Sequence, residues 1–162
     1  MPITIIALGK LKEDYFKQAC AEYEKRLSGF CKLSIIEIAP VKISQNPSPA
    51  EITAALAKEA ELINRVTCKS MQKTFKVALC AEGERFTSET FAGKLFNLLE
   101  IENKSISFII GSSVGLSREI KDSCDMKLSL SDMVFPHRLA RVMLLEQVYR
   151  GFAILGNRRY HK

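Results

Sequence analysis

The chain has 162 residues, 47% of them hydrophobic, with five cysteines and no tryptophan. That length suits one domain over residues 1–162, since single domains run to ~100–200 residues, and folding at this size buries roughly two-thirds of the chain's surface, which excludes disorder and any need for staples. The 24 Lys and Arg outnumber the 18 Asp and Glu for a net charge of +6, and +5 of it lies between His137 and Lys162, so a positive surface for polyanions is a property of the C-terminal segment.

The run ITIIAL at 3–8, apolar, β-branched and ended by Gly9, predicts a buried strand. A helix follows over 12–28, with Tyr15, Ala19, Tyr23 and Leu27 as its apolar stripe and Gly29 placed to stop it. CKLSIIEI at 31–38 reads as a second strand. Pro40, Pro47 and Pro49 make 39–49 a loop, the best candidate for a mobile or binding loop, and Ser48 is placed to cap a helix over 50–65. FKVALC at 75–80 is strand-like and meets a turn at Glu82-Gly83-Glu84. A helix over 87–100 then carries a Phe91, Leu95, Leu98 and Leu99 face behind hydroxyl caps. SISFIIG at 105–111 is the clearest buried strand. A short helix near 117–124, a strand at 126–130 and a long apolar helix at 137–155 complete the chain. Such alternation predicts an α/β layer with a mostly parallel sheet.

The last helix is apolar on more than one face, through Leu139, Ala140, Val142, Met143, Leu144, Leu145, Val148, Tyr149 and Phe152. Cover on two sides comes either from a symmetric homodimer packed through it or from burial inside the monomer.

No segment suits a bilayer: the longest uncharged stretch, Ser105 to Ser117, is broken by glycine and serine and falls short of the ~20 apolar residues a span needs. The N-terminal MPITIIALGKLKEDY lacks a basic leader and a small-residue cleavage site. Cysteines 20, 31, 68, 80 and 124 are widely spaced without CxxC, which fits reduced thiols in a cytoplasmic protein.

Glycines come first among the motifs, because open α/β sheets bind ligands beyond the carboxyl ends of their strands. GSSVG at 111–115 follows a strand but matches neither a dinucleotide fingerprint nor a P-loop. It leaves a small-residue loop that lets a ligand approach the backbone, or merely a turn shaped by glycine. LSLSDMVFPH at 128–137 alternates hydroxyl and apolar residues before Pro136. Such a corner offers backbone donors and acceptors to a planar heterocycle with Met133 and Phe135 as apolar walls, or places those two in the core. His137 and His161 have no ligands at metal spacing. The tail NRRYHK at 157–162 joins guanidinium groups, an aromatic ring and an imidazole, a combination suited to phosphates and stacked bases or simply a basic terminus.

Taken together, these segments resemble the SPOUT-superfamily methyltransferases that modify N3 of pseudouridine in 23S ribosomal RNA. The similarity covers essentially the whole chain, through ITIIALGKLKEDYFKQACAEYEKRL, ALCAEGERFTSETFA and FIIGSSVGLS, and is densest in LSLSDMVFPHRLARVMLLEQVYRGF and the terminal YHK. The resemblance implies a C-terminal trefoil knot, an exception to unknotted chains, with S-adenosyl-L-methionine held in it, and action as a homodimer on the ribosome. By position it implies a cofactor pocket of Leu79, Gly111, Leu130, Ser131, Asp132, Met133, Val134 and Phe135. This chain departs from commoner family forms at Cys80, Ser112 and Val134. For that reaction a base must come within hydrogen-bond reach of the N3 proton, and the local candidates are His161 and, less directly, Tyr160, with Arg150, Arg158 and Arg159 to hold phosphates and steady the developing anion. Arg138, Arg158 and Arg159 are expected to contact RNA. No metal is expected. A non-catalytic ribosome-binding factor is the alternative, and it would not need the 111–115 loop or the 128–137 corner.

Overall fold

The structure is a computed structural model that describes residues 1–70 and 74–156. Five strands form one parallel sheet in the order β2-β1-β4-β3-β5: β1 (Pro2–Leu8), β2 (Lys32–Ile38), β3 (Thr74–Arg85), β4 (Ser105–Ile110) and β5 (Met126–Ser129). Between them run α1 (Asp14–Leu27), α2 (Pro49–Ser70), α3 (Ser88–Phe96), extended by a π-helical turn at Asn97–Ile101, and α4 (Arg118–Asp122). The chain closes with α5 (His137–Leu155).

The alternation of side chains along each strand divides the core in two. Ile3, Ile5, Ile106, Phe108 and Val77 pack with Leu27 of α1, Phe91 and Leu95 of α3 and Leu144, Leu145 and Val148 of α5. On the opposite face Ile6, Leu8, Ala78 and Ile109 meet Ala60 and Ile63 of α2 and Ile120 of α4. The sheet is thus covered on both faces, as a parallel sheet must be. Hydroxyls start the helices as their sequence suggests: Ser48, Thr87 and Ser117 accept hydrogen bonds from the backbone amides of Glu51, Thr90 and Ile120, each at 3.2 Å.

Four details differ from the sequence-based expectation, the first being that α2 runs on to Ser70 where the sequence predicts a helix over 50–65. The α1 stripe begins one residue later: Phe16 is half-buried whereas Tyr15 is 64% exposed, and Cys20 rather than Ala19 is fully buried. The expected turn at 82–84 is extended strand, for β3 slips in register after Leu79 and pairs again with β5 through Glu84 and Arg85. Gly83 is required there because a Cβ would stand 2.4 Å from the Leu128 carbonyl carbon, so β3 crosses β5 at backbone contact. The loop over 39–49 is tied down: Ser44 donates from its backbone amide and hydroxyl to Glu51, and Val41 N donates to Glu59.

One face of α5 is buried through Leu144, Leu145, Val148 and Phe152, while Leu139, Val142 and Met143 on its other side are only half-buried within one chain. From β5 at the sheet edge the chain passes the carboxyl ends of β3 and β4 and enters α5 beside Gly9, at the end of β1.

Candidate active site

A cavity of about 1000 Å³ lies at the carboxyl ends of the strands, walled by the segments that leave β1, β3, β4 and β5. Sites in open parallel sheets form there because the strand-to-helix loops converge. The β4 wall is built by the glycines of GSSVG. Gly115 N donates to Ser112 O at 3.0 Å, with Gly115 at φ +83, and a Cβ on Gly111 would lie 2.3 Å from the Gly115 oxygen. No side chain fits at position 111, and no residue but glycine sits easily at 115. Glu59 of α2, 2% exposed, fixes this loop from behind. One carboxylate oxygen accepts from the Ser112 hydroxyl at 2.9 Å and the other from Val41 N at 3.0 Å. Each oxygen of this buried carboxyl group therefore has a donor.

The β3 wall runs from Leu79 through Cys80 and Ala81 to Glu82, which pairs with Lys121 of α4. The hydrogen bond from Lys121 holds the Glu82 carboxyl below its usual range. Burial, reinforced by the Glu82 charge, pushes the Cys80 thiol up, so at neutral pH it is protonated and a poor nucleophile. The β5 wall is the corner 130–135. Ser129 Oγ donates to Ser131 O at 2.9 Å, and Met133 N donates to Ser131 Oγ at 3.0 Å. Asp132 turns away from the cavity into a fork with Arg85, at 2.6 and 2.9 Å. Leu130, Ser131, Met133, Val134 and Phe135 line the cavity, with Met133 66% and Val134 82% exposed.

The fourth wall joins the segment after β1 to the start of α5. His137 packs over Gly9, and burial together with the Arg138 and Arg141 guanidiniums holds its imidazole below the ordinary range. Arg141, 3% exposed, donates to Glu37 at 2.6 Å and to the Gly9 carbonyl at 2.7 Å, fastening α5 to β1 and β2. Arg138 is ion-paired with Glu13. Glu13 Oε2 and Arg138 Nε are buried with no hydrogen-bond partner among the described residues, a cost of about 1–3 kcal/mol for each such group.

Seven of the eight positions expected around the cofactor thus line one cavity: Leu79, Gly111, Leu130, Ser131, Met133, Val134 and Phe135. Asp132 does not, because Arg85 draws it outward. Arg138 lies on the cavity wall, in its pair with Glu13. Arg150 is not on that wall; it binds Glu146 one turn earlier, at 2.5 and 2.9 Å. Arg158, Arg159, Tyr160 and His161 fall outside the described residues. A second cavity of about 470 Å³ shares Ser129 and Leu130 with the first and reaches the half-buried face of α5 at Val142 and Met143.

Sequence reasoning missed Glu59, Arg141 and Glu13. For the first two a signal existed. Glu59 stands between Ala55 and Ile63 on the apolar stripe of α2, and Arg141 precedes Leu144, Leu145 and Val148 on that of α5. A charge at a position that the 3.6-residue period assigns to the core announces a buried partner. Glu13 carries no such mark. Among the described residues no group of three or more His, Cys, Asp or Glu is placed to hold a metal, and no helix is long and apolar enough to cross a membrane.

A parallel sheet covered by helices on both faces, with a cavity beyond its carboxyl ends, makes this an open α/β fold. Comparison with known proteins makes this specific: residues 1–161 match the family described as "Predicted SPOUT methyltransferase", and the chain belongs to that family. It is therefore a methyltransferase, and its reaction needs a methyl donor. The chain is 47% identical over 162 residues to the ribosomal RNA large subunit methyltransferase H 1 of Clostridium perfringens, covering all of both chains. It is 46% identical, again over the full length of both, to the ribosomal RNA large subunit methyltransferase H of Clostridium botulinum. Among solved structures, a probable methylase family protein from Haemophilus influenzae shares the fold at TM-score 0.55 and 12% identity, over 99% of this chain and 70% of that one.

Proposed function

We propose that the chain methylates N3 of a pseudouridine in 23S ribosomal RNA, with S-adenosyl-L-methionine as donor and the assembled ribosome as substrate, in the cytoplasm. The observation that carries the reading is the convergence of three loops, distant in sequence at 79–82, 111–116 and 130–136, on one cavity. The names of the full-length relatives support an RNA substrate.

The residues present fit the donor. Gly115, beside which a Cβ would meet nothing, leaves backbone open to a nucleoside, Gly111 lets the loop close tightly enough to present it, and Leu79, Leu116, Leu130 and Phe135 supply apolar surface for a base. When bound, S-adenosyl-L-methionine supplies an electrophilic sulfonium methyl. The protein's own task is orientation, since a well-placed nucleophile gains most of its acceleration from lost translational freedom. Ser112, held by Glu59, and Ser131, bonded to Met133 N, set the backbone of two walls. Removal of the N3 proton falls to His161, with Tyr160 less directly. Arg150 steadies the imide anion, and Arg158 and Arg159 bind phosphates.

Arg150 stands off the cavity of its own chain, and the face of α5 bearing Leu139, Val142 and Met143 is half-covered. Both features suit a homodimer in which a second copy brings Arg150 and the C-terminal tail to the site. The path of 130–136 across β3 and β4 to Gly9 suits the knotted threading of the family. Mass mapping of ribosomal RNA from cells lacking the protein tests the function. The expected result is loss of one methyl group on a 23S pseudouridine, and an unchanged modification map would overturn it.

A further inference from the structure

The cavity holds an unexplained feature at its β1 end. Among the described residues Arg138 makes one hydrogen bond, to Glu13, although a guanidinium has five N–H donors, and Arg138 Nε and Glu13 Oε2 are buried with no partner among them. Orphaned buried polar atoms are rare and call for an explanation. The two residues come from opposite ends of the chain, one preceding α1 and the other in the first turn of α5, and both line the cavity that Leu79, Gly111 and Phe135 line.

Their place along the sheet matters. The loops suited to a nucleoside follow β3, β4 and β5, whereas Glu13 follows β1, on the far side of β4. Adjacent strands are spaced at ~4.8 Å, so the β1 and β5 ends of the cavity are separated by three such steps, roughly 14 Å. A ligand seated by its nucleoside near β3 and β5 and reaching toward β1 would bring its other end to Glu13 and Arg138.

We infer that the Glu13–Arg138 pair is the subsite for the α-amino-acid end of the donor, with Arg138 taking the carboxylate and Glu13 the ammonium. The inference rests on the cofactor reading above; it gives Glu13 a role and assigns Arg138, expected from the sequence to contact RNA, to the donor instead. An amino-acid zwitterion carries opposite charges side by side, and so does this pair. The planar fork of arginine matches a carboxylate with two parallel bonds. Exchange of one internal bond for contacts to a zwitterion leaves the net charge of the wall unchanged and gives the orphaned atoms partners. The cavity's other ion pair, Glu82–Lys121, suits the role less well. Its carboxylate is 56% exposed and already accepts from Lys121 and from backbone.

Calorimetric titration of the full chain with two nucleosides tests the assignment. S-adenosylhomocysteine has the amino-acid end, and 5′-methylthioadenosine lacks it. Wild type should bind the first more tightly. In R138Q and E13Q the affinity for S-adenosylhomocysteine should fall by at least about tenfold, as expected for charged hydrogen bonds. The affinity for 5′-methylthioadenosine should stay constant, which also shows that the variants are folded. Equal weakening of both ligands would overturn the inference, as would no weakening of either, or loss of discrimination in K121Q in place of R138Q. Loss of RNA binding in R138Q with both nucleosides bound normally would overturn it in favour of an RNA contact. If wild type bound neither nucleoside, the cofactor reading itself would fall.

Discussion

The two walls that face each other across the cavity are held in opposite ways. The 111–115 loop is set by the Gly115–Ser112 backbone bond, by the packing of Gly111 on Gly115 and by a carboxylate buried in α2. The 130–135 corner is set by serine hydroxyls and an exposed Arg85–Asp132 fork, and it turns Met133 and Val134 toward water. The contrast teaches that the site is half preorganised. One wall is part of the core's hydrogen-bond economy, and the other is a surface segment whose apolar side chains gain cover only from what they bind.

Substitutions on the two sides should therefore differ in kind. The largest effect is expected from G111A, since its Cβ would collide with the Gly115 carbonyl: binding of S-adenosylhomocysteine should fall by more than about tenfold, with thermal stability lowered as for an overpacked site. E59A leaves the Val41 amide and the Ser112 hydroxyl without their acceptor and should cost about 2–3 kcal/mol in denaturant unfolding. S112A removes one donor and should cost about 1 kcal/mol, with weaker cofactor binding.

Acidification probes the wall where α5 meets β1. His137 is held below its ordinary range by burial and two arginines, so only well above about pH 6.5 is it neutral in both the folded and unfolded chain and without effect. As the pH falls below that value the unfolded chain takes up the proton first. Stability then drops until the folded pKa is passed. Unfolding measured between pH 7.5 and 5 should show this slope, and H137Q should flatten it. The smallest effect belongs to D132N. Loss of an exposed fork should cost under about 1 kcal/mol, and a larger loss would mean that the corner is as rigidly held as the glycine loop.

The same division explains what the sequence disclosed. Strands such as ITIIAL and SISFII, and the helix from His137 to Leu155, announce themselves through local period and punctuation. The hydroxyl caps are equally local. What escaped depends on partners far along the chain. Glu82-Gly83-Glu84 spells a turn, yet the glycine serves the crossing of β3 over Leu128. Asp132 sits in a stretch that reads as cofactor pocket, but Arg85, 47 residues earlier, turns it outward. Glu59 and Arg141 break their apolar stripes, a signal that names the residue without naming its partner. The cavity positions themselves came from resemblance, since GSSVG and LSLSDMVFPH taken singly fit ordinary turns and core.

The most direct test of the account is methyl transfer in a purified system. Ribosomes from cells lacking the protein are incubated with it and with S-adenosyl-L-methionine labelled in the methyl group, and 23S RNA is digested for mass analysis. The account predicts label on N3 of a single pseudouridine, with H161A sharply slower at saturating cofactor. Absence of label in the RNA, or label on another base, would contradict it.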